Sequence, residues 1–190
     1  PEDIQIQLNA LADTPQETAI ILDHATKELK HLLGEYIFGF DQQSLEEVVG
    51  DMLRNMNMSL AIAESCTGGM LGEIITSIPG SSDYFKGGII SYDGEIKEKL
   101  LGVPQKTMVK HGQVSEQVAT LMAQGVRKKC ASDIGLGITG IAGPGGGSKD
   151  KPVGLVFIGL SDTKKTIVQQ YKLSRDRQTI RLRANRRALN

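Results

Sequence analysis

Met58-Ser59-Leu60-Ala61-Ile62-Ala63-Glu64-Ser65-Cys66-Thr67-Gly68-Gly69 is the stretch on which the fold turns. Its first half is a short apolar run, read as a strand from Met58 to Ala63. Its second half is small and hydroxylated. Met70, Leu71, Ile74, Ile75 and Ile78 then recur at helical spacing until Pro79-Gly80. A strand that passes through a Gly-rich turn into a helix is the opening unit of an α/β sheet. In such sheets ligands gather at the carboxyl ends of strands, where a helix N-terminus offers free N–H groups. Thr67, Gly68 and Gly69 are therefore candidate positions for holding a phosphate or an oxyanion. An ordinary helix start, capped by Ser65 or Thr67, accounts for the same residues.

The pattern continues outward from this unit. Gly88 to Tyr92 reads as a second strand. Ser115 caps a long helix that carries Val118, Leu121, Met122, Val126 and Cys130 on one face. Ile134 to Thr139 is a mostly apolar, central strand. Val153 to Leu160 and Thr166 to Leu173 alternate as an antiparallel hairpin, and a last helix covers about 176 to 189. Residues 43–190 are thus expected to form a three-layer α/β/α domain with a mixed sheet, opened by a helix on Leu45, Val48, Val49, Met52, Leu53 and Met56. Asp41 to Ser44 is a polar hinge. Residues 1–42 read as a small β-α-β piece: Ile4, Ile6 and Leu8 alternate, Thr14-Pro15 starts a helix, Gly34 stops it, and Tyr36-Ile37-Phe38 is a short strand. So small a piece buries little by itself. The chain opens at Pro1 and stops in an Arg-rich helical segment, as an excised part of a longer protein does.

With 22 basic and 22 acidic residues in 190, the net charge is zero, which argues against a nucleic-acid or membrane surface. The arginines at 175, 177, 181, 183, 186 and 187 read as a solvated helix face. Cys66 and Cys130 form no disulfide framework, and no Cys/His cluster has metal spacing. A cytoplasmic protein is expected, for no run reaches membrane-spanning length and no signal peptide opens the chain.

Two further clusters carry chemistry. Gly80-Ser81-Ser82 lies in a turn, one strand from Tyr92 and Lys97. A serine hydroxyl is a weak nucleophile until a base takes its proton, and a lysine is that base only when burial keeps it neutral. The pattern permits a Ser–Lys pair. Thr139-Gly140-Ile141-Ala142-Gly143-Pro144-Gly145-Gly146-Gly147-Ser148 follows the central strand, and amides near Gly140 and Gly143 are candidates for an oxyanion hole. It is no P-loop, because Lys149 follows Ser148 instead of preceding a hydroxyl residue. Cys66 reads as small buried filler and His111 as structural. No Ser-His-Asp triad can be assembled, so a hydrolytic base falls to Lys97.

The motifs at 63–69, 79–88, 111–115, 140–146 and 151–154, in this order, resemble the C-terminal domain of the CinA (competence/damage-inducible) proteins, the nicotinamide-mononucleotide deamidase family. The resemblance covers Leu45 to the end. It makes residues 1–42 similar to the tail of a KH-like domain, with a further N-terminal domain absent. No Gly-x-x-Gly loop occurs in that segment, so nucleic-acid binding is not expected of it. The resemblance implies hydrolysis of nicotinamide mononucleotide to nicotinate mononucleotide and ammonia by a Ser/Lys dyad, with no cofactor and no metal, in a homo-oligomer, as a dimer. By motif, Ser82 is the nucleophile and Lys97 its base, with Ser65 as the alternative nucleophile or a supporting hydroxyl. Tyr92 orients Lys97 or relays its proton, Thr139 contacts the substrate amide, and Arg177 binds its phosphate. The chain departs from the family pattern at Gly94, where Asn is usual, and at Arg175, where Gly is usual. A non-catalytic domain that binds a pyridine nucleotide or another phosphate ligand is the alternative.

Overall fold

The computed structural model describes residues 4–190, in two compact units that divide between Ser44 and Leu45. In the first unit Thr14 caps helix α1 (Pro15–Leu33) by accepting the Glu17 N–H, while the Glu17 carboxylate accepts the Thr14 N–H. Gly34, at φ 51°, ends the helix and opens a 3-10 turn through Tyr36. The two strands expected around this helix are not formed: Ile4, Ile6 and Leu8 belong to no strand, and Tyr36 closes the turn. Alternating residues become a strand only where a neighbour takes up their backbone hydrogen bonds, and no described residue of this unit does. The β-α-β expectation is corrected accordingly.

The second unit is the expected three-layer domain. Its elements are α2 (Leu45–Asn55), β1 (Leu60–Glu64), α3 (Met70–Thr76), β2 (Phe85–Ile90), α4 (Gly94–Leu101), α5 (Gln105–His111), α6 (Glu116–Lys129), β3 (Ile134–Gly140), β4 (Leu155–Ser161), β5 (Thr166–Lys172) and α7 (Arg177–Leu189). The sheet order is β2-β1-β3-β4-β5. β1 is parallel to β2 and β3, and the β4–β5 hairpin adds antiparallel to β3. Chain direction positions the site. From β1 the chain leaves toward β2 through α3, whereas from β3 it leaves toward β4. The carboxyl ends of β1 and β3 therefore flank a crevice, the usual ligand position in open sheets.

Side-chain size sets the two faces. On one face Ile62, Leu136, Ile138, Val156 and Ile158 pack against Leu53 of α2, Leu71 and Ile75 of α3, and Ile180 and Ala184 of α7. On the other, Ala61 and Ala63 meet Val118, Met122 and Val126 of α6 and Leu101 of α4. β3 alternates glycine with Leu136 and Ile138, so glycines 135 and 137 face α6. A Cβ at Gly137 would stand 2.6 Å from the Ala123 nitrogen, so only glycine lets the helix lie this close. Thr139 is next on that same face and ends beneath the loop that leads into α6. At the opposite end of the sheet, the Asp133 carboxylate accepts both the Ser59 N–H (2.7 Å) and the Ser59 hydroxyl (2.6 Å), tying β1 to β3. No described helix is long and apolar enough to cross a membrane.

Candidate active site

The last residue of β1 decides what its turn can bind. Glu64 is only 2% exposed, and its carboxylate accepts the N–H groups of Gly69 (3.0 Å), Leu71 (3.2 Å) and Gly72 (3.0 Å). A helix start has orphan donors and a positive dipole end, and here an internal anion takes both. The expectation that Gly69 helps hold a phosphate or oxyanion is thereby corrected: its amide already has a partner. Of the turn between, Ser65 and Cys66 line the crevice; Thr67 is fully buried, and neither it nor Gly68 is part of the cavity wall, so the substrate-holding role expected of these two is corrected as well. Sequence reading passed over Glu64. An acid at the end of an otherwise apolar strand, just before a Gly-Gly helix start, was the signal.

Lys97 reaches this turn from α4. Asp93 caps that helix by accepting the Glu95 N–H, and the Lys97 side chain points back beneath the Ser91–Tyr92 loop, 1% exposed. Its Nζ lies 2.7 Å from the Ser91 carbonyl, 3.2 Å from the Tyr92 carbonyl and 3.1 Å from Ser65 Oγ. Burial lowers the Lys97 pKa from its ordinary value, against smaller opposing effects of Asp93 and Cys66. A neutral amine has two hydrogens and one lone pair. The two carbonyls can only accept, so they take the hydrogens, and the lone pair is left for the Ser65 hydroxyl. Once protonated, the ammonium has three donors for the same three oxygens. The site therefore accommodates lysine before and after it takes the serine proton. Cys66 is no rival nucleophile, because burial pushes its thiol up to about 11.

A cavity of about 190 Å³ opens beside Ser65 and is walled by Cys66, Tyr92, Gln113, Thr139, Gly140 and Arg177, among others. Thr139 Oγ1 donates to the Gln113 carbonyl at 2.9 Å, joining the end of β3 to the start of α6. Lys151, from the glycine-rich loop, donates to the carbonyls of His111 and Val114, the latter at 2.7 Å, and pins that loop to the same wall. Arg177, at the start of α7, donates to the Gly143 carbonyl (2.7 Å) and to the Tyr92 hydroxyl (3.0 Å) across the mouth. Tyr92 is 60% exposed and meets Lys97 through its main-chain carbonyl, while its phenol serves the rim. Arg181, one turn on, donates to the Thr67 carbonyl at 2.5 Å and holds the serine turn from behind.

Ser82 is not part of this assembly. It lies in the 3-10 turn Ser81–Asp83, just before β2. β1 and β2 run parallel, with Leu60 opposite Phe85 and Glu64 opposite Ile90. Ser82 therefore sits at the amino end of the strands and Ser65 at the carboxyl end, separated by roughly 13 Å of strand. The expected Ser82–Lys97 pair is corrected to Ser65–Lys97, because Lys97 Nζ is already bound at the far end of the sheet.

Residues 42–190 match the family described as CinA C-terminal domain. The chain belongs to the CinA family. It is 47% identical over 180 residues to the CinA-like protein of Gloeothece citriformis, covering 93% of this chain and 43% of that one. It is 44% identical over 185 residues to the CinA-like protein of Dictyoglomus thermophilum, covering 97% of this chain and 45% of that one. The chain thus spans less than half the length of these curated relatives. Among solved structures, the competence/damage inducible protein CihA of Agrobacterium tumefaciens superposes with a TM-score of 0.75 at 34% identity, over 80% of this chain and 94% of that one. The competence-damaged protein superfamily structure from Escherichia coli gives 0.73 at 26% identity, over 83% and 94%.

Gly94 and Arg175, where the resemblance leads one to expect Asn and Gly, each sit in a distinctive setting. A Cβ on Gly94 would lie 2.9 Å from Gln113 Nε2, so in this CinA domain the Gln113 amide occupies the space beside Gly94. Gln113 had been given no role from the sequence, although it stands two residues before the helix cap Ser115 and so at the mouth of the crevice. Arg175 has φ 94°, a backbone conformation that suits glycine better than any side chain.

Proposed function

We propose that this domain is a serine amidohydrolase that converts nicotinamide mononucleotide to nicotinate mononucleotide and ammonia, with Ser65 as nucleophile and Lys97 as general base and acid. The observation that carries the reading is the buried Lys97 amine 3.1 Å from Ser65 Oγ, with main-chain carbonyls on its other sides. The substrate follows from the likeness of the ordered motifs at 63–69, 79–88, 111–115, 140–146 and 151–154 to the nicotinamide-mononucleotide deamidase family. Ser65 Oγ attacks the carboxamide carbon while Lys97 Nζ accepts the hydroxyl proton. The carbonyl oxygen becomes an oxyanion, for which the backbone amide of Cys66, next to Ser65 in the cavity wall, is our candidate donor. The ammonium of Lys97 then gives its proton to the amide nitrogen, the C–N bond breaks, and ammonia leaves an ester on Ser65. Water attacks the ester, again losing its proton to Lys97. The C–O bond to Ser65 breaks, that proton returns to Ser65 Oγ, and nicotinate mononucleotide is released, its new carboxylic acid giving up the second water proton to solvent or to the ammonia. The nucleotide phosphate is assigned to Arg177 at the rim, whose guanidinium would turn donors from the Gly143 carbonyl and the Tyr92 hydroxyl to it.

The test is ammonia release from nicotinamide mononucleotide by the purified chain, with Ser65→Ala, Lys97→Ala and Ser82→Ala alongside. Loss in the first two with retention in the third is expected. Full activity in a folded Ser65→Ala protein sinks the assignment.

A further inference from the structure

The motifs at 111–115 and 151–154 lie far apart in the chain, and one side chain joins them. Lys151 leaves the glycine-rich loop from a closed turn: its N–H donates to Ser148 Oγ at 3.1 Å, and its carbonyl accepts the Ser148 N–H at 2.8 Å. From there Nζ donates to the carbonyls of His111 and Val114, the second at 2.7 Å. His111 is the last residue of α5, where a helix presents unpaired carbonyls and the negative end of its dipole. Val114 stands just ahead of the α6 cap Ser115. One ammonium thus spans the turn between two helices. Gly112 lies inside that turn. A Cβ there would stand 2.6 Å from Lys151 Nζ, and φ is 77°, so only glycine lets the turn close round the amine.

The turn held in this way is cavity wall. Gln113 and Val114 line the same cavity as Ser65, and the Gln113 amide packs beside Gly94, the first residue of the helix that bears Lys97. Lys151 itself lines no part of the cavity. We propose that Lys151 is a positioning residue for substrate binding: from outside the cavity it fixes the Gln113–Val114 wall, and it takes no part in bond breaking. The inference rests on the amidohydrolase reading and adds a determinant of affinity to it. A wall displaced by an ångström loses the contacts that hold a ligand in place. The Ser65–Lys97 pair is built elsewhere, on the turn after β1, the Ser91–Tyr92 loop and α4, and keeps its geometry without Lys151. Loss of the cation is therefore read in KM rather than in kcat.

The experiment measures steady-state ammonia release from nicotinamide mononucleotide by the wild type, Lys151→Met and Lys151→Gln, with backbone hydrogen exchange over residues 111–115. Lys151→Met keeps the length and removes every donor. It is expected to raise KM about tenfold while kcat stays within about threefold, and to speed exchange over 111–115. Lys151→Gln keeps one shorter donor group and is expected to fall between the two. It decides the matter should Lys151→Met lose its fold by circular dichroism. A KM that neither variant changes overturns the proposal while hydrolysis by the wild type stands. A fall in kcat at constant KM overturns it as well, because Lys151 would then act on the chemistry. A wild type that releases no ammonia overturns the amidohydrolase reading and this inference with it.

Discussion

Ser65 and Ser82 look interchangeable along the chain and are opposites in the fold. Each stands in a small, glycine-rich turn next to a parallel strand, one strand away from Lys97 in sequence terms. Ser65 follows β1 and is buried beside a buried amine; Ser82 precedes β2 and is exposed to water. A hydroxyl gains no nucleophilic character from glycines around it. It gains it from a base with a free lone pair, and a lysine keeps that lone pair only where water is excluded. The carboxyl end of the sheet supplies such a place because α4 returns under the loop that leaves β2. At the amino end Ser82 stands exposed in its 3-10 turn.

The largest expected effect breaks this comparison outright if it fails. Ser65→Ala should lower turnover at least about a thousandfold, whereas Ser82→Ala should stay within about twofold, because it touches nothing in the cavity. Steady-state ammonia release with circular dichroism as a fold control reads both.

Lys97→Met sharpens the role of burial. It should lower turnover by about a hundred- to ten-thousandfold, the range of a general base. Wild-type kcat/KM should rise with pH as Lys97 loses its proton and level off at a pH below the ordinary lysine range, because burial lowers its pKa. Stability should move the same way. Between the lowered folded value and the ordinary one, the unfolded chain binds more protons than the folded one, so stability rises with pH. Below that window the cost of the buried charge is present in full. Lys97→Met should therefore raise the Tm most at acid pH and progressively less as the pH approaches 10.5. An effect on Tm that is independent of pH would show that Lys97 is not the buried titrating group.

Glu64→Gln tests the turn that carries Ser65. Its carboxylate serves three backbone donors, and a glutamine amide would turn an N–H toward one of them. A loss of about 2–3 kcal/mol in urea unfolding is expected, with a fall in kcat as the turn loosens. The corresponding acid near Ser82, Asp83, is exposed, and Asp83→Asn should change stability by no more than about 0.5 kcal/mol.

The smallest effect lies at Arg175. With φ at 94°, Arg175→Gly should stabilise the domain by up to about 1 kcal/mol. A destabilised variant would mean that the arginine side chain contributes more than its backbone costs.

Much of this protein was legible in its residues. The apolar run 58–63, the period of Met70 to Ile78, the Ser115 cap and the alternation of 153–173 identify a mixed α/β sheet, because periodicity and capping are local properties. Lys97 stood out as the only base the chemistry could use. The strands expected at 4–8 and 36–38 were not legible in the same way, because pairing needs a neighbour that alternation alone cannot supply. The order β2-β1-β3, which puts Ser65 and Thr139 on one crevice and Ser82 at the other end, is a property of chain direction through the sheet. So are the capture of Gly69, Leu71 and Gly72 by Glu64 and the contact of Thr139 with Gln113, twenty-six residues apart in sequence. The sequence by itself determined which groups were available: serines, one lysine in reach, and glycines to let helices close in. Tertiary structure alone decided which serine meets the lysine, because only the folded sheet excludes water from one of its two ends.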